Sequence, residues 1–172
     1  MSKSKEIRIT GSLVLLLIAF ASLSIFKNEP VILSYPSNWP EPTYDFSNNN
    51  LTTEGIYLGR HLFYDPILSI DSSTSCSSCH LSFTAFTHVD HALSHGIYDR
   101  IGTRNSATLI NLAWNKSFMW DGAINHLDMQ ALAPISHPAE LGESIENIAQ
   151  KLHKTNRYSR LFKQAFGDSK IT

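Results

Sequence analysis

The sequence predicts an all-α fold in which short helices are joined by long loops. Helical periodicity with capping residues recurs along the chain, whereas neither an alternating strand pattern nor an internal repeat occurs in its 172 residues. A Cys-x-x-Cys-His run, Cys76 to His80, follows a polar loop and is best placed on a helical turn. These three observations favour helices folded around one core.

The N-terminus has the pattern of an export signal. Three basic residues among the first eight precede an apolar run from Leu13 to Phe26, which is shorter than the ~20 apolar residues that span a bilayer comfortably. A small-x-small site, Ala19 to Ala21, falls inside the run. We therefore expect residues 1–28 to be a signal peptide or an uncleaved signal anchor.

The remaining elements follow in order. Residues 29–50 hold four prolines and three consecutive asparagines, which predicts an extended linker or wrapping arm. Residues 51–172 form the expected domain, with a first helix that opens at Thr52-Thr53-Glu54 and ends before Pro66. Residues 80–104 are expected to be irregular. Further helices are predicted at Asn105–Ala113, Leu127–Leu132, Ser144–Lys154 and Tyr158–Phe166, the last closed by Gly167.

The charge balance of the chain is uninformative about its partners. Lys and Arg number 14 against 15 Asp and Glu, a net charge of −1. Such a balance gives no indication of nucleic-acid binding or of a strongly charged surface partner.

The run Cys76-Ser77-Ser78-Cys79-His80 is the attachment signature of a c-type haem. Two thiols at this spacing can form thioethers with the two haem vinyl groups, while the adjacent imidazole lies under the iron. On a helical turn all three side chains can face one side. Cys76 and Cys79 are therefore the predicted attachment residues, and His80 is the predicted proximal ligand of the iron.

Two other chemistries use the same spacing. A thioredoxin-like redox pair should follow a buried strand in a βαβ unit, which the preceding polar residues 71–75 do not form. A structural zinc site usually has four ligands, and with only two Cys in the chain the others would have to be among its eight His. Haem is favoured, and because covalent haem attachment occurs outside the bacterial cytoplasmic membrane, we expect a periplasmic protein.

Several further motifs occur in a characteristic order. They are Gly59–Asp65, the Cys-x-x-Cys-His run, Phe83–Thr87, Gly102–Ser106, Phe118–Gly122, and Gln130 followed by Pro134-Ile135-x-x-Pro138-x-Glu140. Over roughly residues 55–167 the chain resembles the N-terminal haem domain of bacterial dihaem cytochrome c peroxidases and MauG-like enzymes. The ordered set is more specific than any single motif.

The resemblance implies reduction of hydrogen peroxide to water with electrons from a small cytochrome or cupredoxin. Glu140 matches the distal acid–base carboxylate of the family, and Gln130 matches a residue of the distal pocket. Trp120 corresponds to the indole between the two haems, for which burial is expected. Asn105 matches a side-chain ligand of a calcium ion at the domain boundary, although it could equally cap a helix.

The sixth ligand of the iron is a departure from part of the family. Ungapped alignment places Ile97 where bis-His relatives have a histidine, and His95 lies two residues away. Either His95 is the sixth ligand through a local shift of the loop, or the sixth coordination position of the iron is open. His88 and His91 are further candidates in the same loop.

A second departure is that the other Cys-x-x-Cys-His of the family, in its C-terminal domain, is not found in the 172 residues. We therefore expect the N-terminal haem domain only, as a fragment, a truncated gene product or a half that lacks the ordinary electron entry route. The expected partners include the missing C-terminal haem domain or a second copy of the chain in a homodimer. The alternative function is a monohaem electron carrier without peroxidase activity.

Overall fold

The computed structural model describes residues 30–171, and over this range the fold is helical. The helices are α1 (Thr53–Tyr64), α2 (Cys76–Cys79), α3 (Leu127–Gln130), α4 (Leu132–Ser136), α5 (Ile145–His153) and α6 (Asn156–Phe166). Single 3₁₀ turns lie at Pro66–Leu68, Ser82–Thr84, Ile97–Asp99 and Leu112–Trp114. Extended pairing in the described range is limited to isolated bridges. The predicted all-α class is confirmed.

The first helix begins and ends as its capping residues predict. Thr52 accepts a hydrogen bond on Oγ1 from the Gly55 N–H at 3.0 Å and so satisfies one of the unpaired amides of the first turn. At the other end, Asp65 is extended and Pro66 starts a new turn. Proline has no N–H to continue the helical ladder, and this ends α1.

The two C-terminal helices are also confirmed. Ser144 caps α5 by accepting on Oγ from the Asn147 N–H at 3.2 Å. Gly167 ends α6 with φ = +79°, a left-handed conformation that costs little only without a Cβ.

The predicted helix over Asn105–Ala113 is wrong. Its hydroxyl-bearing residues bond to distant loops instead of to their own turn: the Ser106 N–H donates to Ser94 Oγ at 2.9 Å, and Thr108 Oγ1 donates to the Ala85 carbonyl at 2.6 Å. Ser and Thr compete with helical hydrogen bonding in this way. The segment is therefore extended and holds two loops together.

The helix predicted at Leu127–Leu132 is divided into α3 and α4. Ala131 separates them, although its φ and ψ are helical. Pro134, in α4, cannot donate to the carbonyl four residues earlier, which removes one bond across the junction.

The apolar core lies between α1, α5 and α6. Tyr158 of α6 is 1% exposed and donates its hydroxyl to Asp65 Oδ2 at 2.6 Å. The other buried members are Leu58, Leu68, Leu141, Ile148, Leu152, Leu161, Ala165 and Ile171. Between residues 69 and 140 the described chain buries only Ile97 and Phe118 among its apolar side chains. The loops around α2 thus have little core of their own.

Residues 30–50 lie against the loop that contains Trp114. The Trp114 indole N–H donates to the Pro40 carbonyl at 2.8 Å, and the Tyr44 N–H donates to the Ala113 carbonyl at 2.9 Å. The rings of Tyr35 and Trp39 both meet Trp114 edge to face. The predicted export segment, residues 1–28, lies outside the described residues. Within residues 30–171 no helix is long and apolar enough to cross a membrane.

Candidate functional site

The two cysteines and His80 lie on one helical turn. Ser75 precedes this turn, and its N–H donates to Ser78 Oγ at 3.1 Å. At the far end the His80 N–H donates to the Cys76 carbonyl at 3.0 Å. The local hydrogen bonds therefore place Cys76, Cys79 and His80 around one turn, as the spacing predicts.

The imidazole of His80 is oriented by a backbone carbonyl. Its Nδ1 lies 2.8 Å from the Phe86 carbonyl oxygen, so Nδ1–H donates and Nε2 is left as the free lone pair. Ala85 and Phe86 have φ values of +57° and +60°, and this pair of left-handed residues turns the carbonyl toward the ring. An imidazole fixed through one nitrogen and open at the other is the arrangement of a metal-ligating histidine.

The thiols of Cys76 and Cys79 are half-buried and not joined in a disulfide. Burial raises the pKa of both thiols, and for Cys79 the nearby carboxylate of Glu140 and the Cys76 sulfur raise it further. Thiols with raised pKa values are poor redox nucleophiles, so a thioredoxin-like function is disfavoured.

A preformed zinc site is also disfavoured. Within residues 30–171 no group of three or more His, Cys, Asp or Glu side chains is arranged to hold a metal ion. Two unpaired thiols, an imidazole open at Nε2 and loops without a core of their own fit a covalently attached haem.

The turn of the two cysteines is tied to the loops around it. Cys79 donates its thiol to the His95 carbonyl at 3.2 Å and accepts on its own carbonyl from Ser106 Oγ at 2.6 Å. Ser106 is thus a positioning residue that the motif analysis did not single out.

Asn105 lies next to this contact and organises the loop 88–92. Its Nδ2 donates to the carbonyls of His88 and His91 at 2.7 and 2.9 Å, and its Oδ1 accepts from the His88 N–H at 3.4 Å. The amide therefore holds the loop backbone. To bind calcium, the Asn105 Oδ1 would have to give up its contact with the His88 N–H and turn toward the ion. Calcium binding at Asn105 stays a prediction.

The backbone of Glu140 is held on two sides. Its carbonyl accepts from the Ile97 N–H at 2.9 Å, and its own N–H donates to the His137 carbonyl at 3.0 Å. A Cβ on Gly96 would collide with the carbonyls of Ala139 and Glu140, so only glycine permits this approach. The Glu140 side chain is 44% exposed, and its Oε1 lies 3.7 Å from Nδ1 of His137.

The Cys79 thiol donates to the His95 carbonyl, and the Ile97 N–H, two residues farther on, donates to the Glu140 carbonyl, so the loop 95–97 links the attachment turn to the backbone of Glu140. The Glu140 charge acts directly on the Cys79 thiol. The structure thus brings together the predicted distal carboxylate and a predicted attachment residue.

His95 and Ile97 have different environments. His95 Nδ1 lies 2.7 Å from Asp99 Oδ1, and its ring stacks obliquely 4.6 Å from that of His91. Ile97 is 2% exposed and belongs to the core. An apolar residue buried there suits packing, so of the two only His95 offers a ligand nitrogen.

Trp120 and Gln130 contact the loops through Asn105 and Met119, respectively. The Trp120 indole N–H donates to the Asn105 carbonyl at 2.7 Å, yet the residue is 65% exposed. The expected burial of Trp120 is wrong, because the hydrogen bond to the Asn105 carbonyl holds the indole at the surface. Gln130 Nε2 donates to Met119 Sδ at 3.4 Å. Among the described residues no hydrogen bond joins Trp120 or Gln130 to Glu140.

Two contributors besides Ser106 were not assigned a role from the sequence. Phe86 acts through its backbone carbonyl, which no residue type reveals. Asp99, which stands four residues after His95 and accepts from its Nδ1, was also not singled out.

An all-helical fold built around a Cys-x-x-Cys-His turn is that of the c-type cytochromes. The chain belongs to the di-haem cytochrome c peroxidase family, whose family model matches residues 53–172. The c-type haem is the cofactor of that family.

Matches to individual proteins support the same family. The chain is 35% identical over 133 residues to methylamine utilization protein MauG of Methylorubrum extorquens, covering 77% of this chain and 36% of that protein. It is 33% identical to cytochrome c551 peroxidase of Nitrosomonas europaea, covering 67% of this chain and 34% of that one. A solved MauG-like protein associated with microbial copper homeostasis has a TM-score of 0.72 at 31% identity, over 80% of this chain and 40% of that one. The chain thus spans about a third of the length of these two curated relatives.

Proposed function

We propose that this chain is the peroxide-reacting haem domain of a cytochrome c peroxidase, which reduces hydrogen peroxide to water with electrons from a small cytochrome or cupredoxin. The observation that carries the proposal is geometric: the loop whose His95 carbonyl accepts from the Cys79 thiol also bonds, through the Ile97 N–H, to the backbone of Glu140. Family membership supports the same reaction class. We further propose that the protein acts in the periplasm.

Cys76 and Cys79 would attach the haem, and His80 Nε2 would bind its iron. A haem held by these residues would supply the redox chemistry that peroxide reduction needs. The hydrogen bond from His80 Nδ1 to the Phe86 carbonyl fixes the ring orientation and leaves Nε2 as the ligating nitrogen.

Glu140 would move the proton that makes one oxygen a leaving group. One peroxide, two electrons and two protons give two waters, and cleavage requires a proton on the departing oxygen. The carboxylate of Glu140 would accept the proton of one peroxide oxygen at Oε and return it to the other. Backbone hydrogen bonds to Ile97 and His137 fix the main chain of Glu140. Its carboxylate has only a long contact, 3.7 Å, to His137 Nδ1.

Gln130 and Trp120 would have accessory roles. Gln130 would orient peroxide or water, and the exposed indole of Trp120 would lie on the electron route to a second haem domain. Asn105 is the proposed calcium ligand at that boundary. His95 is the residue we propose for a sixth ligand if the resting site is closed.

The test is a Glu140→Gln variant matured with its haem. General acid–base catalysis of this kind contributes about 10²- to 10⁴-fold, so the rate of peroxide reduction should fall by that factor at unchanged haem content. Rapid-mixing absorption spectroscopy with hydrogen peroxide measures the rate. Glu146→Gln, an exposed carboxylate in the first turn of α5, is the matched control and should keep the parent rate.

Equal rates for the Glu140→Gln variant and the parent would remove Glu140 from the mechanism. The electron-carrier alternative is favoured by one observation, the free Nε2 of the Asp99-oriented His95. A carrier should show a six-coordinate, low-spin spectrum in both oxidation states and no reaction with peroxide. That spectrum in the parent protein would favour the carrier over the peroxidase.

A further inference from the structure

A strained turn, residues 96–100, lies against the loop that carries Glu140. Tyr98 and Asp99 have φ values of +55° and +56°, in the left-handed region that is unfavourable for a residue with a Cβ. Strain of this kind persists only where the surrounding contacts hold it, and it is concentrated at sites where geometry matters. The contacts of this turn therefore indicate what it positions.

The main chain of Arg100 closes the turn. Its N–H donates to the Ile97 carbonyl at 3.1 Å, and its carbonyl accepts from the Gly96 N–H at 2.9 Å. Gly96 and Ile97 are also the residues that approach Glu140: the Ile97 N–H donates to the Glu140 carbonyl, and a Cβ on Gly96 would collide with it. The closed turn thus keeps the two loops in contact.

The side chain of Arg100 makes a second connection to the same loop. Its Nη1 donates to the Pro138 carbonyl at 2.8 Å, and the two residues are 38 positions apart in the chain. Because proline has no N–H, this carbonyl is the only main-chain hydrogen-bonding group at residue 138. The guanidinium carbon lies 5.4 Å from the centroid of the Tyr98 ring, and this cation–π contact supports the side chain in that orientation.

No ion pair within residues 30–171 uses the Arg100 guanidinium. Its charge therefore strengthens the hydrogen bond to the Pro138 carbonyl, since a charged donor bonds more strongly than a neutral one.

The Glu140 carboxylate depends on this support. Its side chain is 44% exposed, and its contact with His137 Nδ1 is long, 3.7 Å. The position of the carboxylate is therefore determined mainly by the main chain of its loop. A shift of about 1 Å in a reacting group can cost about 10²-fold in rate, so the contacts that fix this main chain matter for the reaction.

We propose that Arg100 is a positioning residue for peroxide reduction. It closes the turn 96–100, ties that turn to the Pro138 carbonyl, and so keeps the Glu140 carboxylate where it exchanges protons with peroxide. The inference rests on the proposed function, because it extends the role given there to Glu140. Arg100 acts through the loop and needs no contact with peroxide.

The test compares variants of the haem-loaded full chain. Arg100→Met keeps an apolar side chain but removes the donor, and it should slow peroxide reduction by about 10- to 100-fold at unchanged haem content. Arg100→Lys keeps a charged donor for one carbonyl and should stay within about threefold of the parent rate. Arg160→Met, at an exposed arginine of α6, is the matched control and should keep the parent rate.

Hydrogen-exchange mass spectrometry gives a readout that does not depend on activity. In Arg100→Met, the amides of residues 95–101 and 137–141 should exchange about fivefold faster, because a hydrogen bond between the two loops is lost. Exchange in α6 should stay as in the parent. Parent-like exchange in the two loops would show that Arg100 does not hold them together and would overturn the inference.

A double variant separates this inference from the proposed function. Because Arg100 acts through Glu140, Glu140→Gln/Arg100→Met should be no slower than Glu140→Gln alone. A further loss equal to that of Arg100→Met in the parent, or a failure of Arg100→Lys to keep the rate, would overturn the positioning role. A parent-like rate in Arg100→Met beside a slow Glu140→Gln would refute the inference alone. A parent-like rate in Glu140→Gln would refute the proposed function and this role together.

Discussion

Replacing Lys151 with methionine should destabilise the domain by about 3 kcal/mol. Lys151 Nζ lies 2.6 Å from Glu143 Oε2 and also donates to the Ser69 and Ile70 carbonyls at 2.6 and 3.2 Å. The Glu143 side chain is only 3% exposed. Removing one partner of a buried ion pair costs about 3–5 kcal/mol, because the remaining charge is uncompensated.

The lower end of that range applies because Glu143 keeps two donors. The Ser144 N–H and Asn147 Nδ2 both donate to Oε1, at 3.0 and 3.1 Å, whereas Oε2 loses its hydrogen-bond donor. Against a total stability of about 5–15 kcal/mol, the loss is large enough to measure easily. The assay is urea unfolding of the haem-loaded protein, followed by far-ultraviolet circular dichroism at pH 7.

Two controls separate the ion pair from general effects. Lys154→Met removes an exposed lysine that makes no ion pair within residues 30–171, and it should change the free energy of unfolding by no more than ~0.5 kcal/mol. The Glu143→Gln/Lys151→Met double variant should be more stable than Lys151→Met alone, because the orphaned charge is gone.

The loss of unfolding free energy in Lys151→Met should also depend on pH. Burial raises the pKa of the Glu143 carboxyl, but hydrogen bonds from Lys151, Ser144 and Asn147 outweigh burial and hold it below its ordinary value. A lowered folded-state pKa adds stability above the unfolded value of ~4.3, and this stability is lost as pH falls through the folded value. The gap between parent and Lys151→Met should therefore narrow below about pH 4. A cost below ~1 kcal/mol at pH 7, or a gap independent of pH, would refute the reasoning.

Two further predictions concern the core and the Glu140 loop. Tyr158→Phe should lower the free energy of unfolding in urea by about 2 kcal/mol, because the buried hydroxyl donates to Asp65. The control Tyr64→Phe, at an exposed residue, should change it by no more than ~0.5 kcal/mol. Equal costs in the two variants would contradict the role of this hydrogen bond. Gly96→Ala should slow peroxide reduction at unchanged haem content, because the new Cβ displaces the Glu140 carbonyl. The control Gly59→Ala, with open space at its Cβ in α1, should keep the parent rate and raise the free energy of unfolding by about 0.5–1 kcal/mol. A parent-like rate in Gly96→Ala would show that the Glu140 loop tolerates the displacement.

What the sequence determined by itself is local. Thr52, Ser144 and Gly167 predicted the ends of three helices, because a cap is satisfied within a few residues of the chain. The Cys-x-x-Cys-His spacing likewise predicted three side chains on one turn. These features require no knowledge of distant contacts.

What only the tertiary structure decided depends on partners far along the chain. Ser106 bonds to Ser94 and Cys79 instead of lying in the predicted helix, and the indole of Trp120 is held at the surface by the Asn105 carbonyl. Backbone carbonyls and long-range hydrogen bonds carry no residue-type pattern, so the sequence could not reveal them. The same physics places Glu140 beside Cys79, because Ile97 and Gly96 bring two loops into contact that are about 40 residues apart in the chain.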